Sequence, residues 1–111
     1  MATIKSFTDI SQSKVLAEIL SLESADMGWY YSCNPQSARN QMWAGTKAEN
    51  ADIPCWSLAA LLGVLPNENM LVKTTDGEYY CLAKDVMTKH YDNPVDACVA
   101  MIERLHEFNL L

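Results

Sequence analysis

Two side chains of this 111-residue chain, Cys55 and His90, are of the types needed for nucleophilic catalysis. Cys55 follows Pro54 where the sequence predicts the start of a helix, and the free amides of a helix N-terminus lower the pKa of a thiol. Such a nucleophile needs a histidine as base, and His90 lies in a predicted loop, whereas His106 lies in the last turn of a predicted helix. A small cysteine-dependent hydrolase or transferase is therefore one hypothesis. The interpretation we favour is that Cys55 packs under a sheet and His90 is solvated.

The acidic side chains and the cysteines do not form a recognisable metal site. Three pairs of carboxylates lie close in sequence: Glu23 with Asp26, Glu49 with Asp52, and Asp92 with Asp96. Such pairs bind a cation or transfer a proton only in a geometry that spacing does not supply, so we expect them to be solvated. The four cysteines are 22, 26 and 17 positions apart, without the Cys-x-x-Cys spacing of a zinc site. We expect neither a metal nor a cofactor.

The aromatic residues offer a different kind of site, a surface for a protein partner. Neighbouring residues of a strand point to opposite faces. One tyrosine of Tyr30-Tyr31 and one of Tyr79-Tyr80 must therefore face away from the core. Tyrosine and tryptophan contribute strongly to interface energetics. The predicted partner-binding residues are Tyr30, Trp43 and Tyr80.

The composition predicts one acidic domain over residues 1–111. Half of the residues are hydrophobic, and 8 Lys+Arg against 14 Asp+Glu give a net charge of −6. An acidic chain offers no cationic surface to a phosphate backbone or an anionic membrane, which disfavours direct binding of either. The sequence shows no signal-peptide pattern, and its longest nearly apolar run, residues 58–65, is too short to span a bilayer. We expect a cytoplasmic protein.

Local capping signals predict three helices. Asp9 followed by Gln12 forms a capping box, and Asn93 followed by Pro94 places a cap before a proline at the first helical position. Between these two, an apolar segment opens with a proline and closes with a glycine. The predicted helices cover residues 10–21, 55–64 and 94–108, a further short helix is possible over 35–44, and 46–53 has the composition of a surface loop.

Aromatic and alternating segments predict three strands, over residues 29–33, 69–75 and 78–84. Asp76-Gly77 between the last two is typical of a two-residue type I′ turn, and that geometry pairs Val72 with Cys81. The core face of the hairpin would then carry Met70, Val72, Thr74, Tyr79, Cys81 and Ala83. These elements predict the α+β class, with a small antiparallel sheet of about three strands packed against three helices.

Four stretches of the sequence resemble a loose family of small uncharacterised bacterial proteins that are often encoded in prophages and other mobile elements. The stretches are Gln12-Ser13-Lys14-x-Leu16, Ser24-Ala25-Asp26-Met27, Ile53-Pro54-Cys55-Trp56-Ser57-Leu58 with Leu61, and Tyr91-Asp92-Asn93-Pro94-Val95-Asp96-Ala97. The resemblance implies a self-contained cytoplasmic domain of bacterial or phage origin. It assigns no activity, cofactor or binding residue.

The leading functional hypothesis is a non-enzymatic protein-interaction module that binds a protein partner or itself. The acidic surface, the outward aromatic residues and the lack of a catalytic constellation all favour it. The predicted hairpin leaves at least one sheet edge that must be covered, so a homodimer is a further expectation. Mimicry of DNA is a third hypothesis, which predicts carboxylates in rows spaced like phosphates, and charges spread along the whole chain give it little support.

Overall fold

The computed structural model describes residues 5–31, 42–46 and 51–111 and contains three helices and six strands within these ranges. The helices are α1 (Ile10–Ile19), α2 (Leu58–Val64) and α3 (Pro94–Glu107), and a single 3-10 turn covers Leu22–Ser24. The strands are β1 (Met27–Tyr31), β2 (Met42–Thr46), β3 (Ile53–Cys55), β4 (Met70–Lys73), β5 (Tyr79–Ala83) and β6 (Val86–Met87). The α+β class is confirmed.

The strands form two antiparallel sheets of three strands each, in the orders β2-β1-β3 and β4-β5-β6. The sequence predicted one sheet that joined the strand at 29–33 to the hairpin, but β1 pairs with β2 and β3 instead. Residues 42–44 belong to β2 and not to the possible short helix, whose remaining residues lie outside the described ranges. The aromatic and small residues of this segment suit a strand next to β1 better than a helix.

The predicted start of α2 is wrong by three residues. Pro54 and Cys55 lie in β3, and the helix begins at Leu58. Ser57 provides the cap, because its Oγ accepts a hydrogen bond from the amide of Ala60 (3.2 Å) and the Asp26 carboxylate accepts from the Ser57 amide (2.9 Å). Proline is tolerated in β3 because β3 is an edge strand.

Both capping predictions for α1 and α3 are confirmed. The Gln12 amide donates to Asp9 Oδ1 (2.8 Å), and the Asp9 amide donates to Gln12 Oε1 (3.1 Å). At α3 the Asp96 amide donates to Asn93 Oδ1 (2.8 Å), with Pro94 as the first helical residue. These hydrogen bonds satisfy amides that a helix start leaves without a partner.

One carboxylate, that of Asp96, ties the two capped helix starts together. It accepts hydrogen bonds from Lys5 Nζ (2.9 Å), Gln12 Nε2 (2.7 Å) and Asn93 Nδ2 (2.8 Å). Lys5 Nζ also donates to Asp9 Oδ2 (3.0 Å). Burial disfavours the charged form of Asp96, but the hydrogen bonds from Lys5, Asn93 and Gln12 outweigh it and lower the pKa of Asp96 below its usual value.

A second connection runs through Thr8, which is fully buried. Its amide donates to the Trp56 carbonyl (2.9 Å), and its Oγ1 accepts from the Trp56 amide (3.1 Å) and shares a hydrogen bond with Ser13 Oγ (2.7 Å). The segment before α1 therefore lies antiparallel to the segment before α2, with Phe7 bridged to Ser57. Trp56 is itself fully buried in the core.

The hairpin β4–β5 has a register one residue away from the predicted one. Lys73 pairs with Tyr79, and a three-residue connection replaces the predicted two-residue turn. Of residues 75–77, Gly77 alone takes a positive φ, 81°. This is the arrangement of a type I turn followed by a left-handed glycine, which spares Asp76 the positive φ that a type I′ turn requires.

The new register reverses the faces of β4 while β5 keeps its predicted face. Leu71, not Val72, lies opposite Cys81 and packs against the core. Cys81 and Ala83 are buried as predicted. A shift of one residue exchanges every side chain of a strand between its two faces, so Met70 and Val72 lie on the side away from α3.

The core is centred on α3, which packs against β5 on one side and against α1 and α2 on the other. Leu105 closes the buried stripe of this helix, and the neighbouring His106 is exposed. The fully buried side chains of α3 are Val95, Ala97, Cys98, Met101, Ile102 and Leu105.

Alanine substitutions at two glycines should have opposite effects on the free energy of unfolding. Gly77→Ala should destabilise the protein by about 1 kcal/mol, because it forces a Cβ into a left-handed conformation. Gly63→Ala, in a helix with open space around the site, should stabilise it by roughly 0.5–1 kcal/mol. Urea denaturation of both variants measures the difference, and equal effects of the same sign would contradict the assigned turn.

Asp96→Ala should lower the free energy of unfolding at neutral pH by about 1–2 kcal/mol, because three donors lose their acceptor. The pKa of Asp96 is lower in the folded chain than its usual 3.8, so its stabilisation is present above that pH and is lost as the pH falls through the folded value. The difference from wild type should therefore shrink in acid. Glu107→Ala, an exposed carboxylate on the same helix, is the matched control and should change stability by less than about 0.5 kcal/mol.

Candidate interaction surface

The structure places Cys55 in β3, fully buried, and not at a helix start. Its thiol donates to the Thr8 carbonyl (3.5 Å), and Thr8 Oγ1 donates to Sγ (3.6 Å). Burial raises the pKa of the Cys55 thiol above its ordinary value. A neutral, buried thiol is a poor nucleophile, so the feature that suggested activation of Cys55 is absent at this position.

His90 belongs to a different part of the molecule. Its ring stacks on Tyr80 with a centroid distance of 4.9 Å and an angle of 15° between the planes. Its Nδ1 lies 3.8 Å from Glu78 Oε1. These contacts place His90 beside the β4-β5-β6 sheet, whereas Cys55 lies in the other sheet. The geometry gives no support to the Cys55–His90 hypothesis.

A β-bulge explains why His90 lies over Tyr80. Leu82 is paired with Met87, and farther along β5 the Tyr79 and Tyr91 backbones exchange two hydrogen bonds of 2.7 Å. This pairing leaves two residues, 89 and 90, opposite the single residue Tyr80. An extra residue of this kind bends the strand and redirects a side chain.

The strand that carries the bulge was not predicted from the sequence. It begins after a two-residue turn, Lys84-Asp85, in which both residues have positive φ, 51° and 62°. Type I′ turns favour asparagine and glycine at these positions, and a Lys-Asp pair does not carry that signal. The alternation from Val86 to Thr88 was the one indication of this strand in the sequence. In the structure Thr88 faces inward, and its Oγ1 accepts a hydrogen bond from the Cys81 amide (2.9 Å).

The face of the β4-β5-β6 sheet that points away from α3 is mostly apolar. Met70, Leu82 and Met87 form one row across the three strands, and Val72 pairs with Tyr80 in the next row. Met70 and Met87 are 55% and 56% exposed. We call Met70, Val72, Tyr80, Leu82, Met87 and His90 the outer face. Contiguous exposed apolar side chains of this kind mark interaction sites more often than scattered ones do.

The other two predicted binding residues lie in the first sheet. Tyr30 in β1 is partly buried, and its hydroxyl donates to the Thr46 carbonyl (2.7 Å). Trp43 is its register partner in β2. The structure therefore separates Tyr30 and Trp43, which are backbone neighbours, from Tyr80, and only Tyr80 belongs to the outer face.

A shallow cleft of about 440 Å³ adjoins the outer face at Leu82. Its walls include Glu68, Lys84 and Asp85, all with positive φ. These side chains give that end of the outer face a charged rim of both signs, while Glu78 lies near the other end beside His90.

The part of the chain that the structure describes has neither a cluster of metal ligands nor a membrane-spanning helix. Within residues 5–31, 42–46 and 51–111, no group of three or more His, Cys, Asp or Glu side chains is arranged to hold a metal ion. The helices within those ranges are all too short or too polar to cross a membrane. No protein-family model, curated protein or solved structure matches the chain.

Cys55 should resist modification by N-ethylmaleimide in the folded protein. We expect labelling of its peptide, followed by mass spectrometry, to be roughly 100-fold slower than in urea, because the buried thiol reacts only when the structure opens. Labelling at the same rate in both conditions would contradict the buried environment and would favour the catalytic hypothesis again.

Proposed function

We propose that the chain is a non-enzymatic protein-interaction module and that the outer face is its binding surface. The observation that carries this proposal is an apolar sheet face, exposed at Met70 and Met87, on the side opposite to α3. The resemblance of the sequence to prophage-encoded proteins supports a phage or mobile-element origin and a cytoplasmic location for the module.

The side chains of the outer face are suited to holding a protein partner. Methionine is flexible and polarisable, so Met70 and Met87 can adapt to the shape of an apolar anchor. Tyr80 is held by its stack with His90 and adds a rigid aromatic surface. Charged side chains lie at the ends of the face and not within it, which is the usual division between the centre and the rim of an interface.

A protein is a better occupant than a nucleic acid because of charge. The chain carries a net charge of −6 and its rim has both signs, so a phosphate backbone would be repelled overall. The same charge opposes a second copy at this face. Six side chains are also far fewer than the roughly 20–30 residues per partner in a standard stable interface.

These two considerations favour a segment of another protein, with apolar anchors and a net positive charge, over a homodimer. Electrostatic attraction would then steer the segment to the face, and the apolar contacts would hold it. Self-association through β4 is the second candidate, because among the described strands β4 is an edge strand that pairs with β5 alone, and a strand edge can be extended by a second copy.

The double variant Met70→Lys with Met87→Lys should abolish partner binding without unfolding the chain. Both side chains are already more than half exposed, so the charges are placed in solvent in the free protein. The matched control is Leu22→Lys, at a residue 63% exposed on the 3-10 turn. Wild type, the double variant and the control are each used for affinity capture from the native host, and each is then titrated with the purified captured partner. The double variant alone should lose affinity, by about 10-fold or more.

Capture of the same proteins by all three forms would contradict the outer face as the binding surface. Sedimentation between micromolar and millimolar concentration separates the two occupants. A monomer throughout supports a foreign partner, and a dimer that the double variant leaves intact indicates pairing at the β4 edge instead.

A further inference from the structure

The main chain of β4 forms one edge of the β4-β5-β6 sheet. Among the described strands β4 pairs with β5 alone, and both pairings of this sheet are antiparallel. In an antiparallel pair, every second residue exchanges hydrogen bonds with the neighbouring strand, and the residues between direct their N–H and C=O groups to the other side. Some main-chain groups of β4 therefore point out of the sheet.

The outward groups belong to Leu71 and Lys73. The Thr74 amide donates to the Glu78 carbonyl (2.8 Å), so the main chain of Thr74 is directed toward the strand that leads into β5. By alternation Val72 is directed toward β5 as well. The N–H and C=O groups of Leu71 and Lys73 then point away from β5, toward the open edge.

Hydrogen bonds on the far side of β5 give the same alternation independently. The Tyr79 amide and carbonyl are bonded to the Tyr91 carbonyl and amide, each at 2.7 Å, on the side of β5 that carries β6. The next residue, Tyr80, must therefore direct its main chain toward β4, where its register partner is Val72.

Lys73 is the only charged residue of β4, and it leaves the edge open. A lysine on an edge strand is a common device against pairing with a further strand. Here the Lys73 ammonium lies over the Tyr79 ring, 5.8 Å from its centroid, so its charge is directed back over β5. Leu71 packs against the core. Neither side chain therefore covers the outward main-chain groups.

We propose that the module binds its partner by strand addition, in which an extended segment of another protein pairs antiparallel with β4 and hydrogen-bonds to Leu71 and Lys73. This rests on the proposed function, because the added strand extends the rows of the outer face. Alternate side chains of the segment lie beside Met70 and Val72, so apolar residues suit those positions. Antiparallel pairing continues the pattern of the sheet.

Charge favours a foreign segment with basic flanks over a second copy of this chain. Exposed carboxylates lie beyond both ends of β4, Glu68 two residues before it and Asp76 three residues after it. Antiparallel pairing of two copies at β4 would bring Glu68 of one copy to the same end as Asp76 of the other, where like charges repel. Lysine or arginine at both ends of a foreign segment is attracted by the same carboxylates.

The experiment adds the blocked synthetic peptide Lys-Lys-Val-Thr-Val-Thr-Val-Lys-Lys to the full folded chain and follows amide hydrogen exchange by NMR. We expect exchange of the Leu71 and Lys73 amides to slow by about 10-fold or more at millimolar peptide, because both amides gain an acceptor. The Val72 amide, which faces β5, is the internal reference.

Two N-methylated forms of the peptide are the matched pair. With the valines on the outer face, antiparallel pairing directs the threonine amides toward β4 and the valine amides away from it. Methylation of the two threonine nitrogens should weaken binding by about 10-fold or more, because two hydrogen bonds are lost. Methylation of two valine nitrogens should leave the affinity nearly unchanged.

Two variants at one position test the same hydrogen bonds from the side of the protein. Lys73→Pro removes an outward N–H and no hydrogen bond to β5, a change that an edge strand tolerates. Lys73→Ala removes the same charge and keeps the N–H. The proline variant should bind the peptide several-fold more weakly than the alanine variant.

Strand addition is overturned if the Leu71 and Lys73 amides exchange at an unchanged rate, or if both methylated peptides bind equally well. A peptide with threonine in place of the three valines separates this result from the proposed function. If it protects the two amides and binds as tightly, strand addition holds and the outer face is not the binding surface. If the valine peptide binds at the outer face without protecting the two amides, strand addition alone fails.

Discussion

The carboxylate of Asp96 is the point on which the arrangement of the helices depends. It accepts from Asn93 at the start of α3 and from Lys5 and Gln12, which are distant in sequence, and so fixes the start of α3 next to the start of α1. Because α3 supplies more of the fully buried side chains than any other helix or strand described, the position of its first turn determines how the core is filled. A partly buried ion pair is tolerated here because both carboxylate oxygens of Asp96 accept hydrogen bonds.

The two faces of the β4-β5-β6 sheet differ because one of them packs on α3. Cys81 and Ala83 pack on α3, and the residues between and beside them point outward. Two single-residue irregularities decide the composition of the outer face: the three-residue connection puts Met70 and Val72 on it, and the bulge adds His90. The surface we propose for binding is therefore a product of loop geometry as much as of strand composition.

Features set by neighbouring residues could be predicted from the sequence, and features set by distant pairing could not. The capping box at Asp9 and the cap at Asn93 were predictable because each is complete within four residues. The predicted helix start at Cys55 was wrong because residues 53–55 pair with β1 instead. For the candidate site, alternation identified Tyr80, but no local signal showed that a bulge would bring His90 to the same place.

The three charged residues around the cleft, Glu68, Lys84 and Asp85, all hold a left-handed backbone. For residues with a Cβ this conformation costs about 1–2 kcal/mol each, less where an aspartate bonds locally. Glycine at any of them would relieve the strain and delete a rim charge at the same time. A glycine substitution that raises the stability of the fold at this end of the sheet would therefore also reduce the surface charge around the cleft.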